Sequence, residues 1–575
     1  MPGLAQAALC GSVQRPLDPA RPQGVLIDIH LALLPALARH KAADPVFFFV
    51  GGPGQSAIGL APALAARHAR LGQRRDLVFI DQRGTGRSAP LRCADDGAGA
   101  DLRPLAEQAD AALRLQRLRA CRLALQALPY GDLRFFTTAL AAADVDAVRQ
   151  ALGVARINAL GFSYGTRLVL DLMRQFPPTV RRAVLDGVAP PDMQLPAAAA
   201  PDNQAALDAL FDACASQPAC AQRHPTLRAQ WAGLLARLPV DVLLPHPISG
   251  LPQPLRLQRD AVLGLVRAPL YSPALAAALP AAIDAAHAGR WAPLAALASP
   301  VGGAAAGSIS SGLHFSVLCA EDLEPGAAPP QPAPVTATTP ATSSALATAP
   351  APASDFAPAP AHAHASDFAN SFADFYRQAC AGWPRGAVSP AFYSMPPAQS
   401  PTWLLSGGLD PATPPRHAQR VAQALGRNAR HTVVPNAGHG VLGQACLREA
   451  AARFITADDD ATALAVDADC AQAVPRPLAF VAPGVTPGMT PGVAPGMAPG
   501  MTPGVAPGVT PGVASGLSPG MAPGLSPGLS PATAPGMPPN ISPPAAGPAG
   551  QLTPMPGPAW APASAPGHAA HRAGR

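Results

Sequence analysis

Charge is scarce in this chain. Asp, Glu, Lys and Arg together make up only 13% of its 575 residues, and aromatic residues only 5%. The formal net charge is +6, with no Lys/Arg run of the kind that grips nucleic acid or an anionic membrane, so nucleic-acid partners are excluded. No run of 18 or more apolar residues exists, which leaves nothing to span a bilayer as a helix. The nine cysteines form no CxxC pair, so zinc ribbons and thioredoxin-type redox sites are set aside. Their wide spacing fits disulfides in an oxidising compartment, with one cysteine left over. Met1 to Leu9 is apolar but short and lacks a basic start, so it does not read as a signal peptide. The expected location is periplasmic or secreted, with an export segment upstream of residue 1; cytoplasmic is the alternative.

Proline and glycine are plentiful instead: 73 and 52 residues, more than a fifth of the chain. So many cannot all sit within helices and strands, which rules out one compact domain over the whole length. From Val481 the sequence repeats Pro-Gly every four residues. Each repeat sets a turn and removes a backbone donor, so a disordered tail is expected over 476–575. Collagen is excluded because Gly does not recur at every third position. A second low-complexity stretch, about 324–365, reads as a loop insertion. Within it, His362 and His364 offer at most weak metal binding and read better as solvated loop residues.

Elsewhere short apolar runs alternate with helical spacing. Val46–Val50, Leu77–Ile80, Ile157–Leu160, Ala183–Leu185, Trp403–Leu405 and His431–Val434 read as buried parallel strands. Ala139–Leu152 and Thr166–Phe176 carry the apolar spacing of helices between them. This implies an α/β core with a mostly parallel sheet. The stretch from Pro191 to Pro390 lacks the alternation, is rich in Ala and Leu, and reads as an inserted helical domain. The expected division is core over 1–190, helical cap over 191–395, core again over 396–475, and tail.

The sharpest local signal is Gly161-Phe162-Ser163-Tyr164-Gly165, a G-x-S-x-G pattern between an apolar strand and a helical segment. It puts a serine on a strained strand-to-helix turn, where only small neighbours fit; a plain Gly-rich turn is the bland alternative. A serine nucleophile needs a base and a group to orient it. Downstream, Trp403–Leu405 runs into Ser406-Gly407-Gly408-Leu409-Asp410, and His431–Val434 into Pro435-Asn436-Ala437-Gly438-His439. Each ends a strand with a residue type that the reaction requires, in the order Ser, acid, His. For Asp410 the competing reading is a turn or cap, and for His439 a surface histidine. The glycines after Val50 offer a backbone N–H for an oxyanion, as does Tyr164. A nucleotide loop is poorly supported, for neither GxGxxG nor Gly-Lys-[Ser/Thr] occurs.

GGPGQSA at 51–57, DQRGTGRS at 81–88, GFSYGTRL at 161–168, LLSGGLDPATPP at 404–415 and AGHG at 437–440 together resemble the proline iminopeptidase and tripeptidyl aminopeptidase branch of the α/β hydrolases. The resemblance spans roughly 8–190 and 370–470. It implies an α/β-hydrolase fold: an eight-stranded sheet with a helical cap inserted after the strand ending near Asp186. It also implies a triad of Ser163, Asp410 and His439, with Gly52 and Tyr164 lining the oxyanion hole, and no metal or cofactor. Val50 stands where many iminopeptidases carry His. Asp81 and Arg83 read as a structural lock on their turn rather than as catalytic groups. Cys319-Ala320-Glu321-Asp322 looks like the family's cap segment, which makes Glu321 and Asp322 expected binders of a substrate ammonium; the alternative is a solvated acidic pair. Plausible bridges are Cys319 with Cys380, Cys93 with Cys121, Cys214 with Cys220 and Cys446 with Cys470, although connectivity cannot be read from sequence alone.

The implied activity is a serine aminopeptidase acting on peptides with a free N-terminus. Two alternatives stand beside it: a carboxylesterase for small acyl esters, and a non-catalytic surface protein in which the repetitive tail matters most.

Overall fold

The computed structural model describes residues 3–97, 99–298, 309–323, 366–369 and 371–480. The expected loop insertion over 324–365, with His362 and His364, lies outside these residues, as does the tail from 481 onward.

Eight strands form one sheet: β1 (Leu9–Pro16), β2 (Leu26–Leu34), β3 (Val46–Phe49), β4 (Leu77–Ile80), β5 (Ile157–Phe162), β6 (Val180–Asp186), β9 (Thr402–Gly407) and β10 (Ala429–Val434). The hairpin strands β7 (Val240–Pro245) and β8 (Pro252–Leu257) pair separately. The order across the large sheet is β1-β2-β4-β3-β5-β6-β9-β10. β1 and β2 run antiparallel to their neighbours, and the six from β4 to β10 run parallel.

The central strands are apolar at nearly every position because both faces are covered. Phe47, Val78, Ala159, Leu185 and Leu404 face one hydrophobic cluster. Their neighbours in sequence, Phe48, Phe79, Leu160, Val184 and Leu405, face another on the opposite side. Helices Thr138–Ala151 and Tyr164–Gln175 pack together and contribute to the first cluster, and Ala445–Thr456 contributes to the second. The strands and helices given a range in the sequence analysis match to within two residues at each end, except that β6 starts three residues before the expected Ala183.

Between β6 and β9 the chain is mostly helical, with its own cluster built on Leu207, Phe211, Trp231, Leu263 and Ile283. The β7–β8 hairpin is a two-stranded addition to the mainly helical expectation here. Val240–Pro245 alternates exposed and inward residues, and prolines at the paired ends Pro245 and Pro252 disguise it as loop. Helix Ser311–Glu321 does not join this cluster. It packs on the sheet side with Leu313, Val317 and Leu318. Asp367 accepts from Trp231 Nε1 at 2.9 Å, and Phe368 is buried against the same helices. At the far end, Phe480 N donates to Ala277 O at 2.8 Å and Arg476 Nη2 to Ala209 O at 3.1 Å, so residues up to 480 lie against these helices.

Four disulfides join Cys93 to Cys121, Cys214 to Cys220, Cys319 to Cys380 and Cys446 to Cys470, and Cys10 is free and exposed. Such bonds persist in oxidising compartments. The Asp81–Arg83 turn is a structural lock. Asp81 accepts from Ser56 Oγ at 2.6 Å and from the backbone N–H of Ile58 and Arg87. Arg83 reaches Asp144 through two nitrogens at 2.7 and 2.8 Å and also donates to the carbonyls of Leu17 and Phe135.

Arg83 and Asp144 have almost no solvent exposure, so removing one partner strands the other charge. Asp144→Ala is expected to cost about 3–5 kcal/mol. Urea denaturation with the disulfides kept oxidised measures it.

Candidate active site

Residues at the carboxyl ends of parallel strands meet in the crevice where the chain reverses its order of addition, the usual ligand position in such sheets. β3 sits between β4 and β5, and the loops after β3, β5, β6, β9 and β10 all open on that side.

Ser163 follows β5 and opens helix Tyr164–Gln175 with φ 55° and ψ −124°. That region is sparsely populated for a residue with a side chain and costs of order 1–3 kcal/mol. The twist turns the hydroxyl away from the usual capping role, and its side chain makes no cap hydrogen bond. The turn is held by the Ser163 N–H, which donates to Asp186 O at 2.9 Å. Gly165 is obligatory here because a Cβ would collide with the Phe49 carbonyl oxygen of β3.

His439 lies on the loop after β10, and its Nδ1 is 2.8 Å from Asp410 Oδ2 on the loop after β9. Since the carboxylate accepts, Nδ1 carries the proton and Nε2 keeps its lone pair. Asp410 is 2% exposed. It also accepts from Ala412 N at 2.8 Å, Thr413 N at 2.9 Å and Thr413 Oγ1 at 2.8 Å. Burial works to raise the Asp410 pKa, but the His439 charge and these bonds outweigh it and hold it below the ordinary value. Burial likewise works to lower the His439 pKa, and the Asp410 charge and hydrogen bond hold it above its ordinary value. Asp186 fixes the far side of the loop, accepting from Val441 N at 2.8 Å and Leu442 N at 2.9 Å. Burial pushes its own carboxyl up to about 6.

Ser163, His439, Gly52 and Tyr164 line one cavity of about 1950 Å³. Gly52 takes φ +113°, which a side chain would strain, and Gly51 N–H is already committed to Gln55 Oε1 at 3.1 Å. His314 braces this loop: its Nδ1 lies 3.2 Å from Pro53 O and its Nε2 2.7 Å from Tyr376 OH. Burial lowers the His314 pKa to about 4, so the ring is neutral at neutral pH.

Glu321 and Asp322 are placed differently from a solvated pair. Both are buried, and neither lines the cavity. Asp322 pairs with Arg167 at 2.6 Å, and Glu321 lies 3.4 Å from the same guanidinium. Glu321 accepts from Thr138 N at 2.6 Å and Thr138 Oγ1 at 2.8 Å, and Thr138 Oγ1 is 2.6 Å from Tyr164 OH. Burial pushes Glu321 up to about 7. The pair therefore stands behind the helix that Ser163 opens rather than at the cavity surface.

The sequence reading missed Tyr271, whose carbonyl accepts the His439 N–H at 3.1 Å and whose ring meets the imidazole edge-on at 5.4 Å. The only trace in sequence is the i,i+4 pair Arg267–Tyr271, joined by a 3.0 Å hydrogen bond at the end of helix Arg259–Leu270. His314 was missed too. Among the described residues no cluster of metal-binding side chains occurs.

Residues 44–256 match the family model described as alpha/beta hydrolase fold, and 366–462 match the one described as TAP-like protein. The chain has the α/β-hydrolase fold. Serine protease Hip1 of Mycobacterium tuberculosis (strain H37Rv) is 32% identical over 32% of this chain. Tripeptidyl aminopeptidase of Streptomyces coelicolor is 33% identical over 33%. The match covers 36% of the length of each of these relatives, about a third. Carboxylesterase B of M. tuberculosis (strain CDC 1551) is 31% identical over 47% of this chain and 52% of its own. A solved proline iminopeptidase of Mycobacterium smegmatis aligns over 80% of this chain and all of its own at 17% identity, with a TM-score of 0.32.

Two outcomes follow from this geometry. Ser163→Gly relieves the strained φ and is expected to unfold about 1 kcal/mol less readily than Ser163→Ala, after the loss from a floppier unfolded chain. Paired urea melts compare the two. In Asp410→Asn the charge that favours imidazolium is gone, so the His439 pKa falls, which an NMR titration reads.

Proposed function

We propose that this α/β hydrolase is a serine peptidase that releases residues from the free N-termini of peptides, working through Ser163, His439 and Asp410. The observation that carries the reading is the 2.8 Å Asp410–His439 hydrogen bond on the wall of the cavity that the strained Ser163 also lines. Ser163 Oγ attacks the scissile carbonyl carbon while His439 Nε2 takes the hydroxyl proton. Asp410 holds the tautomer and stabilises the imidazolium, and the Gly52 and Tyr164 N–H groups receive the oxyanion. The imidazolium then protonates the leaving amine, and water, activated by the same ring, releases the acyl group. These steps use only side chains and backbone of this chain.

The cavity volume, above the roughly 300–1,000 Å³ common for small-ligand sites, suits a stretch of peptide. The relatives named serine protease and tripeptidyl aminopeptidase support the same reading.

A carboxylesterase is the second reading, and one observation favours it. Glu321 and Asp322, the carboxylates expected to hold a substrate ammonium, are already engaged by Arg167 and lie off the cavity surface. The relative named Carboxylesterase B points the same way.

Ser163→Ala is expected to abolish turnover and fluorophosphonate labelling of a folded protein. Retained turnover rejects the triad, and failure of the unaltered protein to label revives the non-catalytic reading. Blocking the peptide N-terminus by acetylation separates the first two readings, since an exopeptidase loses most of its kcat/KM and an esterase does not.

The pH profile carries a sign. The base must be neutral, and Asp410 holds the His439 pKa above the ordinary value of about 6.5, so the acid limb of kcat/KM lies above that value. Asp410→Asn moves the limb to lower pH and lowers kcat by about 10⁴-fold.

A further inference from the structure

Six arginines line the cavity: Arg92, Arg103, Arg114, Arg117, Arg167 and Arg267. Among the described residues three aspartates do, Asp95, Asp186 and Asp260. Asp95 is held by Arg103 at 2.7 Å and Arg117 at 3.0 Å, and Arg167 by Asp322. Asp186 faces backbone N–H groups, and Asp260 sits two turns before Arg267 on the same helix.

Arg114 and Arg267 differ from the others. Among the described residues no ion pair joins either to a carboxylate. Each rests on an aromatic face instead: Arg114 over Phe375 and Arg267 over Phe372, both at 4.8 Å from the ring centroid. Those rings flank Tyr376, at 5.9 and 4.7 Å respectively, so the two guanidiniums bracket one aromatic cluster. Arg267 donates to Tyr271 OH, and its Nε–H is buried with no partner. Arg114 is exposed, which leaves its guanidinium open to a ligand, and desolvation by the surrounding protein lowers its pKa. A guanidinium stacked on a ring keeps its in-plane N–H donors free for a planar acceptor.

The cluster touches the proposed chemistry on two sides. Tyr376 OH meets His314, which braces the loop at Pro53, and Tyr271 stands between Arg267 and the His439 ring.

We infer that Arg114 and Arg267 form a subsite that binds a substrate carboxylate, either the C-terminal carboxylate of a short peptide or an acidic side chain. The inference rests on the serine hydrolase reading of the same cavity. It replaces the expected grip on a substrate cation by a grip on an anion, since the planar carboxylate matches the fork of donors and supplies the missing charge.

The test is equilibrium binding to full-length Ser163→Ala protein by calorimetry. One pair of probes is trialanine and its C-terminal amide, and the other is Ala-Ala-Glu-amide and Ala-Ala-Gln-amide. At least one acid is expected to bind ten-fold or more tightly than its neutral counterpart. The first pair reports a terminal carboxylate and the second a side chain. Arg114→Gln and Arg267→Gln are expected to collapse the ratio toward one, with Arg114→Lys recovering part of it. Equal binding within both pairs, absence of binding, or a preference that survives both Gln variants overturns the inference. Fluorophosphonate labelling of the unaltered protein reads the serine chemistry separately, so loss of one conclusion is not mistaken for loss of the other.

Discussion

Asp186 ties the site together. Its backbone carbonyl holds the strained turn at Ser163, and its carboxylate holds the N–H groups just beyond His439. One residue at the end of β6 thus fixes two loops that are almost three hundred residues apart in sequence. The cost is a buried carboxylate whose pKa is driven up to about 6, offset by two backbone donors that favour the charged form. That double anchor works beside the close approach of Gly165 to Phe49 at the serine turn and the bonds of His439 to Asp410 and Tyr271.

Around this anchor the sheet supplies rigidity and the loops carry the candidate site residues. β3, β5, β6 and β9 are parallel neighbours with both faces buried, and the half-buried edge strand β10 pairs alongside β9, so their carboxyl ends are set by close packing. Asp410 and His439 extend from adjacent strands, and their contact follows from the β9–β10 register. Tyr271 closes the arrangement from the helices between β6 and β9.

Much of this was legible in the sequence, for physical reasons. Strands buried on both faces appear as short continuous apolar runs, and a serine between flanking glycines announces a turn that admits no bulk. The meeting of Asp410 with His439 was foreshadowed because each follows a strand in a glycine-rich loop. The four cysteine pairings also agree with those thought plausible. What escaped was long-range and polar. Nothing near Glu321 in sequence tells that Arg167, 154 positions earlier, would draw it into the interior. Tyr271, His314 and the stacked arginines matter through neighbours from distant segments, and prolines at its paired ends disguised the hairpin as loop. Solvent exposure and charge pairing are decided by tertiary packing, and spacing along the chain carries little of that information.

Helix Ser311–Glu321 is gripped at both ends. Ser310 N donates to Gly54 O at 2.9 Å and His314 reaches Pro53 O, while Glu321 and Asp322 hold Thr138 and Arg167 behind the serine helix. Cys319 bonds this rod to Cys380. Eleven residues at about 1.5 Å each make a strut of roughly 16 Å. The glycine loop and the serine helix are therefore tied to a common bar, and a disturbance that tilts it is felt by both.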